Sequence, residues 1–157
     1  MRGALVKVGA AVGAGALPLV LGQGMAAAGA PIDGSDGRSV ELTFVRNGQE
    51  ITCTVRGNSI FTYFGEPTGT VMRGDTSIDP EEPGCAESVT TLSVRVRWGP
   101  EPGDEPSRTA IGVSEGGTTA TVLTSDEGRT GRIIVDHEAT FACDTGFCRV
   151  ATNTLPK

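Results

Sequence analysis

The run Ser39-Val40-Glu41-Leu42-Thr43-Phe44-Val45-Arg46-Asn47-Gly48-Gln49-Glu50-Ile51-Thr52-Cys53-Thr54-Val55-Arg56 decides the fold. On each side of Asn47-Gly48, apolar and polar residues alternate with the period of a half-buried strand. Asn-Gly between two such runs is the strongest short hairpin signal, because both residues tolerate the positive φ of a type I′ turn. A two-residue loop fixes the register. Phe44 faces Ile51, Leu42 faces Cys53 and Val40 faces Val55, all on one side. The other side pairs Thr43 with Thr52 and Glu41 with Thr54, which suits water.

Working outward, further strands are expected at Ile60 to Phe64, Val89 to Trp98, Arg108 to Ser114, Thr118 to Thr124, Gly131 to Cys143 and Cys148 to Thr154. Val89 to Trp98 is the clearest of these. Leu92, Val94, Val96 and Trp98 share one face, and Ser93, Arg95 and Arg97 share the other. In the last pair, Phe141 is expected opposite Val150. No window carries a capped 3.6-residue pattern. Seven or eight short strands with Gly, Pro and Asp turns predict an all-β, immunoglobulin-like antiparallel β-sandwich.

The start of the chain is different. Arg2 and Lys7 precede an apolar, Ala/Gly-rich stretch from Val8 to Leu21, followed by small residues at Ala26 and Ala28. This is the layout of a secretory signal peptide, with cleavage expected after Ala28. The alternative is a retained anchor, since Val8 to Ile32 is uncharged and long enough to span a bilayer. The expected organisation is a signal peptide over 1–28, a flexible leader over 29–37 and a sandwich over 38–157. Localisation is then secreted, with membrane contact only in transit.

The whole chain has 157 residues and a net charge of −6. Removal of 1–28 leaves 129 residues, 11 basic against 19 acidic, a net charge of −8. That balance argues against nucleic-acid binding, which needs Lys and Arg against phosphate. The Arg, Gly and Ala content suggests a bacterium of high genomic GC.

Outside the cell, four cysteines read as two disulfides. Cys143 and Cys148 flank a short turn and are expected to pair, which leaves Cys53 with Cys85. Chain entropy assigns the longer loop about 3.7 kcal/mol and the shorter about 2.2 kcal/mol. The other connectivities, including an intersheet Cys53 to Cys143 or Cys148, stay open at this level, and zinc spacing is poor.

Material for catalysis is thin. His137 is the only histidine. It shares a strand face with Val135, Ala139 and Phe141, while Asp136 and Glu138 project the other way. A structural histidine is expected, no catalytic residue is assigned, and no cofactor or metal is expected. The acidic residues between Asp75 and Glu105 could suit calcium, but prolines interrupt them and no calcium-loop spacing occurs. The candidate interaction surface comprises Phe61, Tyr63, Phe64, Arg73 and Asp75. Arg73-Gly74-Asp75 is expected in a loop. The irregular stretch from Gly65 to Gly84, with Thr70-Val71-Met72 as a candidate short strand within it and Cys85 tying it down, is the first choice for recognition.

The Cys143-x4-Cys148 hairpin on a secreted, Ala/Gly/Thr-rich sandwich resembles the neocarzinostatin family of antibiotic-carrying proteins. The likeness covers that hairpin. The family's other bridge closes a shorter loop than Cys53 to Cys85, so carriage of a chromophore does not transfer. More broadly, the chain resembles small exported actinobacterial immunoglobulin-like proteins without assigned activity. The expected function is a non-enzymatic exported binding module, its partner an extracellular protein or small ligand. The alternative is a secreted protease inhibitor presenting loop 66–84.

Overall fold

The computed structural model describes residues 32–157. The expected signal peptide and residues 29–31 lie outside the described residues. Eight strands and one short helix follow in order: β1 Ile32–Arg46, β2 Gln49–Tyr63, β3 Thr70–Ile78, α1 Cys85–Ser88, β4 Val89–Trp98, β5 Arg108–Glu115, β6 Thr119–Asp126, β7 Ile133–Cys143 and β8 Gly146–Thr154. They form two antiparallel four-stranded sheets, ordered β1-β2-β3-β6 and β5-β4-β7-β8. The chain is an all-β sandwich carrying two disulfides, Cys53–Cys85 and Cys143–Cys148.

The opening hairpin has the register its turn dictates. Phe44 pairs with Ile51, Leu42 with Cys53 and Val40 with Val55. Asn47 and Gly48 have φ of 54° and 74°, as a type I′ turn requires. On the outer face, the hydroxyls of Thr43 and Thr52 meet at 2.9 Å.

Three expectations are corrected. Residues 32–37, expected in a flexible leader, continue β1 and pair with β2 as far as Ile32 opposite Tyr63. Ile60 to Phe64 is not a separate strand but the end of β2, which runs through Gly57-Asn58-Ser59 without turning. Gly57 serves the opposite sheet there, because a Cβ would overlap the imidazole of His137. The stretch 65–84 is not one loop, since β3 occupies its middle, bonded to β2 on one side and β6 on the other. The inner face of β3 reads Thr70, Met72, Gly74, Thr76, Ile78. That mixture of small and polar groups carries little apolar alternation, so the strand is hard to read locally.

A smaller correction concerns β7 and β8. Phe141 pairs with Cys148 and Ala139 with Val150, around the two residues Asp144 and Thr145. Gly146 has φ of 112°, which allows the tighter turn. The shift is two residues, so every side chain keeps its face.

The core lies between the sheets, around Met72, Leu92, Val94, Val96, Val135 and Phe141. Phe44 and Phe141 pack with ring centroids 5.2 Å apart. Gly74 of β3 leaves the space taken by Val94 and Val135. At about 25 cal/mol per Å², each such buried aliphatic contributes roughly 1.5–3 kcal/mol.

Strand alternation sorts the connections into two ends. The turn 47–48, the segment 79–88, the turn 116–118 and the turn 144–145 lie at one end, with both disulfides. The connections 64–69, 99–107 and 127–132 lie at the other, beside the start of β1 and the end of β8.

Candidate functional site

The disulfide end is closed by carboxylates as well as sulfur. Asp144 of the β7–β8 turn accepts hydrogen bonds from the backbone N–H of Asn47 at 2.7 Å and Gly48 at 3.0 Å. Beyond Val55, β2 has no partner strand on its β3 side. Glu82 takes its place, accepting from the N–H and hydroxyl of Thr54, both at 2.6 Å. Cys53–Cys85 fastens that same segment to β2.

The centre holds His137, fully buried on β7. Its Nδ1 lies 2.9 Å from the Thr76 hydroxyl of the opposite sheet, and its Nε2 lies 2.9 Å from the Thr154 hydroxyl. Thr76 donates its only hydroxyl proton to the Ser93 carbonyl at 2.9 Å. His137 Nδ1–H therefore donates to Thr76, and Nε2 accepts from Thr154. Burial lowers the His137 pKa from 6.5, opposed by the charges of Asp136, Asp75 and Asp36. The neutral ring bridges the sheets with no carboxylate bonded to it. Asp136 is occupied on the outer face by a two-point pair with Arg97, at 2.7 and 2.9 Å. Glu138 pairs with Arg149 at 3.2 Å.

The opposite end is open. A cleft of about 840 Å³ lies between Glu66 and Thr68 of the β2–β3 turn, Pro100 to Pro102 of the β4–β5 connection, and Glu127 to Arg129 before β7. A second cleft, about 370 Å³, adjoins it and shares Tyr63 and Arg129 with it. Both volumes fall within the range of small-ligand sites. The walls are built from backbone bonds. Gly99 N–H donates to the Arg132 carbonyl at 3.1 Å, and Gly131 N–H to the Gly99 carbonyl at 2.9 Å. The Thr70 hydroxyl donates to the Gly128 carbonyl at 2.9 Å. Asp126 anchors the larger cleft. Its side chain is 7% exposed and pairs with Arg108, and it accepts from the Trp98 indole N–H at 2.6 Å. Asp36 fixes the far wall of the smaller cleft by accepting from the Leu155 N–H at 2.9 Å. That bond, first among the causes, holds the Asp36 carboxyl below its ordinary pKa of 3.8.

The candidate surface divides across this architecture. Phe61 and Tyr63 come together in the smaller cleft. Phe64 is exposed on the adjoining turn. Arg73 and Asp75 are elsewhere, on the outer face of β3, where they pair with each other at 2.9 Å. Arg73-Gly74-Asp75 is thus an interior strand segment, not a loop, because Gly74 faces Val94 and Val135. Cys53, Cys85, Cys143 and Cys148 belong to the closed end. Among the described residues, no three His, Cys, Asp or Glu side chains converge as a metal site would need.

Sequence reasoning missed Arg108, Asp126 and Arg129 as cleft residues, and Trp98 as the buried donor that holds Asp126. The proline-rich acidic connections read as solvated linkers when taken singly. Strand direction was the available signal, since alternating antiparallel strands place every second connection at the same end.

No family model matches the chain, and no curated protein or solved structure is significantly similar to it. Two disulfides fit an oxidising, extracellular-type environment. No helix among the described residues is long and apolar enough to cross a membrane.

Proposed function

We propose that this protein is an exported, non-enzymatic binding module that holds its ligand in the open end of the sandwich. One observation carries the reading. Connections from both sheets converge on two joined clefts, while the disulfides brace the other end. Rigid strands with binding loops at one end are the usual division of a β-sandwich. The neutral, fully bonded His137 supports a structural role for the only histidine.

The sandwich is immunoglobulin-like in our reading. In the constant-type arrangement, strands A, B, E and D form one sheet and C, F and G the other. Here β2, β3 and β6 correspond to A, B and E, and β4, β7 and β8 to C, F and G. β5 pairs with β4 instead of β6, and β1 adds a strand outside A. Export after cleavage at Ala28 is part of the proposal. The mass of the protein recovered from culture medium tests it, and an intact Met1 would refute it.

The binding end is tested by hydrogen exchange with a partner captured from the culture medium. Protection is expected at 64–69, 99–107 and 127–132. Protection confined to 47–48, 82–87 and 144–147 would overturn the assignment. The inhibitor alternative would have to present Phe64–Gly69 or Asp79–Gly84, since Thr70–Ile78 is held within a sheet. No stoichiometric inhibition of serine proteases is expected.

A further inference from the structure

We infer that the smaller cleft captures the carboxy-terminal residue of a peptide, apolar side chain inward and carboxylate outward. This rests on the reading of the open end as the binding end. The floor is apolar, made by Phe61, Ile133 and Leu155. The charged side chains around it are Arg129, Arg132 and Lys157, with no acidic side chain among the lining residues; the terminal carboxylate of Lys157 is the one anionic group there. In a chain of 19 acidic and 13 basic residues, a cleft lined by three cationic side chains against one terminal carboxylate is a local reversal of sign. Arg132 is shared with Glu105 at 3.7 Å, where both side chains are more than half exposed. Such a pair is weak and yields to a better partner. Arg129 has no ion pair among the described residues. Asp36, behind the Leu155 wall, is already committed to the Leu155 N–H.

The larger cleft decides between a peptide end and a simple acyl carboxylate. It continues from the smaller one through Tyr63 and Arg129, and it carries Glu66, Glu101 and Glu127. A chain leaving the cationic cleft therefore runs along an acidic one. A peptide with basic residues upstream of an apolar carboxy-terminus complements both, whereas a fatty acid complements only the first. Guanidinium groups suit a carboxylate because their donors form a fork that can bind both oxygens.

The test is an amide-resonance titration of the full chain at low ionic strength, where exposed charges are least screened. The probes are N-acetyl-Lys-Gly-Leu as the free acid, the same peptide as its amide, and octanoate. The free acid is expected to shift Phe61, Gly131, Ile133 and Leu155 and to bind at least ten-fold tighter than the amide. The R129E/R132E variant, with its spectrum otherwise unchanged, is expected to lose that preference. Equal binding of acid and amide would overturn the inference. Octanoate binding there without the peptide would overturn the peptide assignment in favour of an acyl ligand. Absence of shifts with all three probes, while partner protection persists at 127–132, would overturn the carboxylate site and leave the binding end standing. Partner protection at the disulfide end alone would remove both.

Discussion

At the end with the disulfides, Cys53–Cys85 fastens the irregular segment 79–88 to β2, Cys143–Cys148 spans the β7–β8 turn, and Asp144 ties that turn to Asn47 and Gly48. At the open end, the connections are held by backbone bonds such as Gly99 to Arg132 and Gly131 to Gly99, and two clefts remain between them. The Cys53–Cys85 link stands where β2 lacks a strand neighbour and a long segment must cover it. Where the connections face each other, backbone bonds suffice to order them and leave side chains free for a ligand. Stability and recognition are therefore expected to separate along the long axis.

The largest expected effect tests the closed end. Replacing Cys53 and Cys85 together with Ser should lower unfolding free energy by up to about 3.7 kcal/mol, the chain-entropy value for that loop. Urea denaturation would measure it, and a loss no greater than for open-end variants would break the contrast. Next is the centre, which both ends share. Gly57→Ala pushes a methyl into His137, and overpacking of this kind costs about 1–3 kcal/mol.

The same histidine gives a pH dependence. Its folded pKa is depressed below 6.5 by burial. Its contribution is fully present above the unfolded value and is lost as pH falls from there toward the folded one, because only the unfolded chain accepts the proton. Denaturation midpoints between pH 8 and 5 should fall more in the native protein than in His137→Gln. Parallel curves would show that His137 is not the titrating group.

A smaller effect, about 1 kcal/mol, is expected from Asp144→Ala, which leaves two exposed turn N–H groups to water. The smallest comes from Arg129→Ala at the open end. Its melting should match the native protein within about 0.5 kcal/mol while ligand binding falls. A destabilisation comparable to that of Asp144→Ala would mean that the open end also carries structure.

Several elements were legible because their causes are local. The Asn47-Gly48 turn fixed a register that holds from Phe44–Ile51 through Val40–Val55. Alternation in Val89 to Trp98 fixed both faces of β4. The disulfide pairs followed from the β7–β8 turn and from what then remained. The count of eight strands was reached, though by an exchange: the tail of β2 stood in for a separate strand, and β3 was read as loop except for a candidate short strand at Thr70 to Met72. Gly57-Asn58-Ser59 and Arg73-Gly74-Asp75 have turn chemistry in isolation. Each became strand because the opposite sheet needed the space above its glycine, for His137 in one case and for Val94 and Val135 in the other.

The chain's own pattern thus determined the class of fold and the face of most strands, since turn dihedrals and side-chain alternation act between near neighbours, and it favoured the disulfide pairing that the fold then fixed. Tertiary structure decided which glycines bend, where Arg73 and Asp75 point, and that Tyr63, Asp126 and Arg129 share one mouth. Those outcomes depend on groups far apart in sequence competing for one volume between two sheets, and no local pattern contains that information.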